Sequence, residues 1–347
     1  MTPVEGILLG FLIVAAIAAC TTRHLMATII IFAAYCTVKS IIWILLAAPD
    51  LSITEAAVGT GISSILFFVV LKHILIVKTE HQEQEAFEPR QKQKRDSGFF
   101  RLFYNSACAT IGLGLTGVLV YTASVLPPFG DPSNPTNNEV PRKFIEDGIQ
   151  DTGALNVVAS MLFDYRAFDT LGEACVLIAA VCAVLILLRY DGPLHTFHAF
   201  VREFEKPRQD IILKYVAFLL VGMIMIFGFY VILNGHLTPG GGFSGGAILG
   251  ASLVLYVSVF GTTNSFKFLN YKTCGRILSI SLLFYIVVKG YSFFSGANNI
   301  KIDIPLGTPG AMFSAGLIMP LNTAVGLIVA CSMYMVFILF GKDGVLK

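Results

Sequence analysis

Asn234-Gly-His-Leu-Thr-Pro-Gly-Gly-Gly-Phe-Ser-Gly-Gly246 lies between apolar runs near 211–233 and 242–262, each long enough to cross a bilayer. It places His236, Pro239 and the glycines Gly240, Gly241 and Gly242 where a membrane hairpin needs only a polar turn. Glycine and proline weaken or break helices, so the stretch predicts irregular backbone. Such backbone is tolerated near a membrane only where protein buries it or where it lines a wet cavity. The reading is therefore a polyhelical membrane protein with a built structure at one interface.

The rest of the chain agrees. Hydrophobic residues make up 55% of the 347 residues and charged residues 13%. Mean hydropathy is +0.76. Soluble domains carry about 25% charged residues, so a soluble protein is a poor fit. The net charge of +2 is too small to suggest nucleic-acid binding, and 28 Phe with one Trp suit a lipid-facing surface.

Apolar runs of about 20 residues mark membrane helices. Nine are found, near 4–22, 24–47, 51–77, 100–126, 168–189, 211–233, 242–262, 273–294 and 317–340. The first carries only Glu5 in its leading residues and lacks the basic start of a cleaved signal, so it is expected to be a true span. Alternating across nine spans puts 17 Lys and Arg on one side and 4 on the other. The positive-inside bias then sets the N-terminus outside and the C-terminus in the cytoplasm. The predicted fold class is an all-α integral membrane protein of about nine helices.

Two charged connections divide the spans into blocks of three, two and four. Residues 78–99 form a Gln-rich, charged stretch that reads as a solvated cytoplasmic linker. Residues 190–210, with His195 and His198, form the second. The predicted modules are thus 1–77, the linker 78–99, 100–190 and 191–347. Seven cysteines (Cys20, Cys36, Cys108, Cys175, Cys182, Cys274, Cys331) fall in or at the ends of spans with no C-x-x-C pair. They read as small buried hydrophobes rather than metal or iron–sulfur ligands.

An ionisable group inside a span is expensive and marks function by default. The candidates are Lys39, Glu55, Lys72, Glu173 and Lys289, with Asp50, Asp169 and His236 near the boundary. At about 1.5 Å per residue, Glu55 lies roughly 6 Å below the outer end of its span, Glu173 and Lys289 roughly 7 Å, and Lys39 roughly 12 Å. Lys72 sits near the cytoplasmic end and is expected to snorkel. The others gather in the outer half, where carboxylates and lysines together can relay protons or Na⁺. The same residues also read as buried ion pairs that lock helices. Gly59 and Gly61, in Thr54-Glu-Ala-Ala-Val-Gly-Thr-Gly-Ile-Ser-Ser64, weaken the helix of Glu55 and permit close packing or a π-bulge. Gly240, Gly242 and Gly245 satisfy G-x-G-x-x-G, but no strand precedes them, so no dinucleotide site is expected.

Three signatures, carried by four segments, resemble those of a known family. Asp50-Leu-Ser-Ile-Thr-Glu-Ala-Ala-Val-Gly59 is similar to the three-span MbhD-type subunit, also found in the C-terminal region of MrpA. Asp151-Thr-Gly-Ala-Leu-Asn156 and Asp164-Tyr-Arg-Ala-Phe-Asp-Thr-Leu-Gly-Glu173 resemble the two-span MbhE module. Asn234-Gly-His-Leu-Thr-Pro-Gly-Gly-Gly-Phe243 resembles the four-span MrpB (MbhF) subunit. The resemblance covers nearly the whole chain. It implies a membrane subunit of an Mrp-type Na⁺/H⁺ antiporter, or of a related membrane-bound hydrogenase or sulfur-reducing complex, with kinship to a membrane subunit of respiratory complex I.

The resemblance further implies ion passage through Glu55 and Glu173, with Lys39, Lys289, His236 and Asp169 as further members and flexibility at Gly59, Gly61, Pro239, Gly240, Gly241 and Gly242. No catalytic centre or cofactor of its own is expected; Na⁺ or H⁺ would be the cargo. The implied partners are a large antiporter-like subunit and small NuoK-like and MrpG/MrpF-like subunits in a prokaryotic cytoplasmic membrane. Two other readings stand beside it: a scaffold that anchors partners without carrying ions, and a self-contained secondary transporter with its site at Gly240–Gly246.

Overall fold

The computed structural model describes residues 3–71, 98–128, 130–134, 137–187, 211–261, 265, 269–298 and 304–342. Lys72, most of the linker 78–99, and His195 and His198 lie outside the described residues. Among the described residues there is no strand, and nine helices are long and apolar enough to cross a membrane.

The long helices are α1 (Pro3–Thr21), α2 (Leu25–Leu45), α3 (Pro49–Leu71) and α4 (Gly98–Val125). Three short ones follow: α5 (Glu139–Glu146), α6 (Gly148–Thr152) and α7 (Val157–Ser160), the last running into a π turn at Met161–Tyr165. Then come α8 (Ala167–Leu187), α9 (Ile211–Leu233), α10 (Gly242–Phe260), α11 (Tyr271–Ala297) and α12 (Ile318–Lys342). All nine expected spans are present, with ends shifted by a few residues.

Local chemistry explains several ends. Pro49 opens α3 in its first turn, where a missing N–H costs nothing. Asn270 caps α11, its Oδ1 accepting from the Thr273 N–H at 2.9 Å. Gly153, with φ of 73°, ends α6 in the left-handed conformation that suits glycine.

The chain forms two compact units, Met1–Val77 with Phe144–Lys347, and Lys78–Lys143. In the second, the Ser133 N–H and hydroxyl both donate to Asp131 Oδ1, at 2.9 and 2.8 Å. These bonds hold the Asp131 carboxyl below its usual range.

The first unit is organised around α10 and α12. Their membrane-length windows are 67% and 72% buried, against 6% for α1. Helix α10 is thin because glycine fills its contact faces. Gly242 and Gly246 meet the α12 backbone at Asn322 and Gly326, and Gly245 meets Gly228 and Ile232 of α9. Small residues let membrane helices approach until their backbones touch. Tyr334, Ile328, Val254 and Leu278 continue the packing towards the far end of α12. The Tyr334 hydroxyl donates to the Leu269 carbonyl at 2.8 Å.

The outward surface is apolar, with Ile7, Phe218, Ile226 and Leu283 all exposed. That is expected of a chain solvated by lipid rather than water. The cysteines divide: Cys36, Cys274 and Cys331 are buried, whereas Cys20, Cys108, Cys175 and Cys182 face outward. The expectation that all are buried therefore fails for four, because a thiol on a lipid-facing helix costs little.

Candidate functional site

The irregular stretch is confined to 234–241, between α9 and α10. Gly242, Gly245 and Gly246 lie in regular helix, where their lack of a side chain serves close packing. Gly240 and Gly241 have φ of 121° and 147°, which a side chain would strain.

Three residues from distant segments hold this hairpin. Asp50, in the first turn of α3, accepts from the Gly240 N–H at 2.6 Å. Asn322 of α12 accepts from the Gly242 N–H at 2.9 Å. Asn156 donates through Nδ2 to the carbonyls of Gly235 and Thr238, each at 3.0 Å. Its own N–H donates to the His236 carbonyl at 3.0 Å, and its Oδ1 caps α7. The hairpin is therefore a clasp between all three sequence blocks. Each bond is worth about 1 kcal/mol, and buried groups left unpaired add to the loss. Asn156→Ala should destabilise the chain by about 2–4 kcal/mol on that count. A lowered thermal midpoint of the solubilised protein would register it, and an unchanged midpoint would contradict it.

His236 is fully buried beneath this clasp, and neither ring nitrogen has a hydrogen-bond partner among the described residues.

The charged candidates sort into separate sets. Lys39 on α2 pairs with Glu55 on α3 at 3.0 Å, with the side chains 39% and 19% exposed. Immediately after Glu55 the helix takes the π form over Ala56–Ser63, where Gly59 and Gly61 sit. A Cβ on Gly59 would stand 2.9 Å from Glu55 Oε1 and 3.0 Å from Cys36 Sγ. Only glycine leaves room for the carboxylate to fold back along its own helix. Ser40 stitches α2 to α3 nearby through the Ser52 carbonyl and hydroxyl, both at 2.9 Å.

Lys289 of α11 pairs with Asp164 of the π turn at 2.9 Å. Arg166 pairs with Asp169 on an exposed surface. Glu173 makes no ion pair among the described residues; its side chain faces outward from α8. The expected outer-half cluster is thus two lysine–carboxylate pairs plus a solitary glutamate.

Beside Lys289 lies an open cavity of about 250 Å³, lined also by Asp151, Thr152, Asp164, Ser292 and segment 304–318. Neither Glu55 nor Glu173 lines it. Tyr165 donates to Asp151 Oδ2 at 2.6 Å. Burial, this bond and the nearby carboxylates of Asp147 and Asp164 push the Tyr165 phenol well above its usual value.

Sequence reasoning missed Asp164, Asn156 and Asn322. The first two stand inside the quoted motifs, and Asn322 is an amide at the start of an apolar run. Each signal was legible, but the partner was not.

Comparison with known proteins bears on this architecture. Three family models match: the MBH component MbhD over residues 10–75, the MBH component MbhE over 118–202, and a domain related to the MnhB subunit of Na⁺/H⁺ antiporter over 212–335. A Staphylococcus epidermidis protein named for antiporter subunit mnhB2 is 30% identical over 132 residues, spanning 35% of this chain and 89% of that one. The chain belongs to the Mrp/MBH family. It joins MbhD, MbhE and MnhB types of module in one polypeptide. An uncharacterized protein of Methanocaldococcus jannaschii is 32% identical over 192 residues, 50% of this chain and 71% of its own. The solved Mrp complex from Dietzia sp. DQ12-45-1b contains a chain of the same fold, with a TM-score of 0.68 and 20% identity, covering 99% of this chain and 35% of that one. Other antiporter subunits are likewise longer: this chain spans 24% and 20% of two of them.

Proposed function

We propose that this chain is a membrane subunit of a multisubunit, cation antiporter-like complex and carries part of its ion path. One observation supports this most: the Lys39–Glu55 pair within the membrane, 3.0 Å apart, at the start of a π-helical segment. A lysine and a carboxylate in low dielectric respond strongly to any charge arriving beside them. A π-helix is a local register defect, and such defects are frequent at functional sites. Family membership supports the same reading, since the matched domain is related to a subunit of a Na⁺/H⁺ antiporter.

The cargo is Na⁺ or H⁺, and the chain needs no cofactor of its own. The modules are 1–77, 100–190 and 191–347, joined by the cytoplasmic linker 78–99. The Lys and Arg bias sets the N-terminus and the hairpin 234–241 outside, and the C-terminus in the cytoplasm of a prokaryote. The partners are a large antiporter-like subunit and small NuoK-like and MrpG/MrpF-like subunits.

Gentle purification of the tagged chain from its native membrane, followed by mass spectrometry, tests this. Antiporter-type subunits should co-purify, with or without hydrogenase-like or iron–sulfur chains that would mark a redox-driven pump. A chain that purifies alone and transports a solute in vesicles would overturn the proposal.

A further inference from the structure

The cavity beside Lys289 has a charge pattern of its own. Three separate segments build its polar wall: Asp151 and Thr152 from α6, Asp164 from the π turn, and Lys289 and Ser292 from α11. Lys289 is 6% exposed and reaches Asp164 Oδ1 at 2.9 Å, while the Asp164 carboxylate is 45% exposed. Asp151 is bonded to the neutral Tyr165 hydroxyl rather than to a cation. Among the described residues two carboxylates therefore face one ammonium, a surplus of negative charge.

Room and chemistry narrow the occupant. At about 30 Å³ per water, a cavity of 250 Å³ holds an ion with several waters of its shell. Carboxylate and hydroxyl oxygens are hard ligands, suited to hard cations. A single surplus charge matches a monovalent one.

Tyr285, one turn along α11 from Lys289, donates to the Ala167 carbonyl at 2.9 Å. Ala167 opens α8, the helix that carries Glu173.

We propose that this cavity is the outer mouth of the ion route, where a hydrated alkali cation displaces the Lys289 ammonium from Asp164. The proposal rests on the ion-path reading above and adds its point of access. Lys289 acts as a tethered competitor: it occupies the carboxylate until a free cation takes its place.

The test uses the intact complex in vesicles, with Ser292→Cys as reporter and the parent complex as background. A membrane-impermeant cationic thiol reagent should modify Cys at 292 from the hairpin side. NaCl should slow that modification relative to choline chloride at equal ionic strength. Adding Asp164→Asn should abolish the protection, whereas Lys289→Gln should shift half-protection to lower Na⁺. A structural pair would not give these opposite shifts. An unreactive Cys at 292, or protection indifferent to both substitutions, would overturn the proposal. Should Asp164→Asn fail to assemble, Asp164→Glu takes its place and should keep protection with an altered Na⁺ dependence; an unaltered dependence counts against it. Labelling does not require transport. Loss of protection in a complex that still transports would therefore sink the mouth and leave the ion-path reading standing.

Discussion

Glu55→Gln should leave the complex assembled and slow cation transport in vesicles by at least about tenfold, equivalent to about 1.4 kcal/mol on the barrier. Assembly should survive because the pair it breaks is only partly buried, with Lys39 39% and Glu55 19% exposed. The same two helices stay tied by Ser40, whose hydroxyl donates to the Ser52 carbonyl at 2.9 Å. Glutamine also keeps the shape that fits against Gly59 and Cys36. What it removes is the charge, and with it the ability to hold Lys39 or exchange a proton. Glu173→Gln should behave in the same way, since Glu173 has no ion pair to lose among the described residues. Undiminished, ion-dependent transport by both variants would move the chain to the scaffold reading. So would loss of assembly without any selective change in ion dependence.

Gly246→Leu should prevent the chain from accumulating at all. A Cβ at Gly246 would stand 2.6 Å from the Gly326 carbonyl oxygen and 2.8 Å from Val329 Cβ. The obstacle is backbone on the most buried helix, which has no rotamer to change. Overpacking costs about 1–3 kcal/mol where side chains can yield, and more where they cannot. Gly246→Ala already introduces the offending atom and should lower the thermal midpoint of the complex clearly. Gly250→Ala is the control, since its Cβ would stand 3.1 Å from Met333 Cβ, a clash of a few tenths of an ångström with no backbone overlap. Equal loss in the two alanine variants would show that backbone contact is not what limits this interface.

Much of this architecture was readable in the chain. Long apolar runs declare membrane helices because an uninterrupted apolar 20-residue segment has few other stable homes. The π-helix after Glu55 was signalled by Gly59 and Gly61, and the hairpin by Pro239 and its glycines. Pairing was less legible. Lys289 met Asp164 rather than Glu173, although Lys289 and Glu173 lie at similar depths. Depth follows from counting residues along a helix, whereas facing depends on rotation about its axis and on where a loop folds back. Asp164 belongs to such a loop, the π turn before α8. Asp50 likewise read as a boundary charge and proved to be an acceptor for the Gly240 N–H. Gly242 read as a point of flexibility, and in the fold it lies against the α12 backbone at Asn322.

The Asp50–Gly240 bond joins residues 190 positions apart. A ribosome adds about 5–20 residues each second, so Asp50 waits about 10–40 s for its donor to be made. Lys39 and Glu55 are only 16 positions apart and can meet almost at once. The newborn first three helices therefore enter the bilayer with one carboxylate neutralised and the other still bare. Until α9 and the hairpin arrive, Asp50 has to stay at the lipid–water boundary, and the clasp closes fully only once Asn322 of α12 is made.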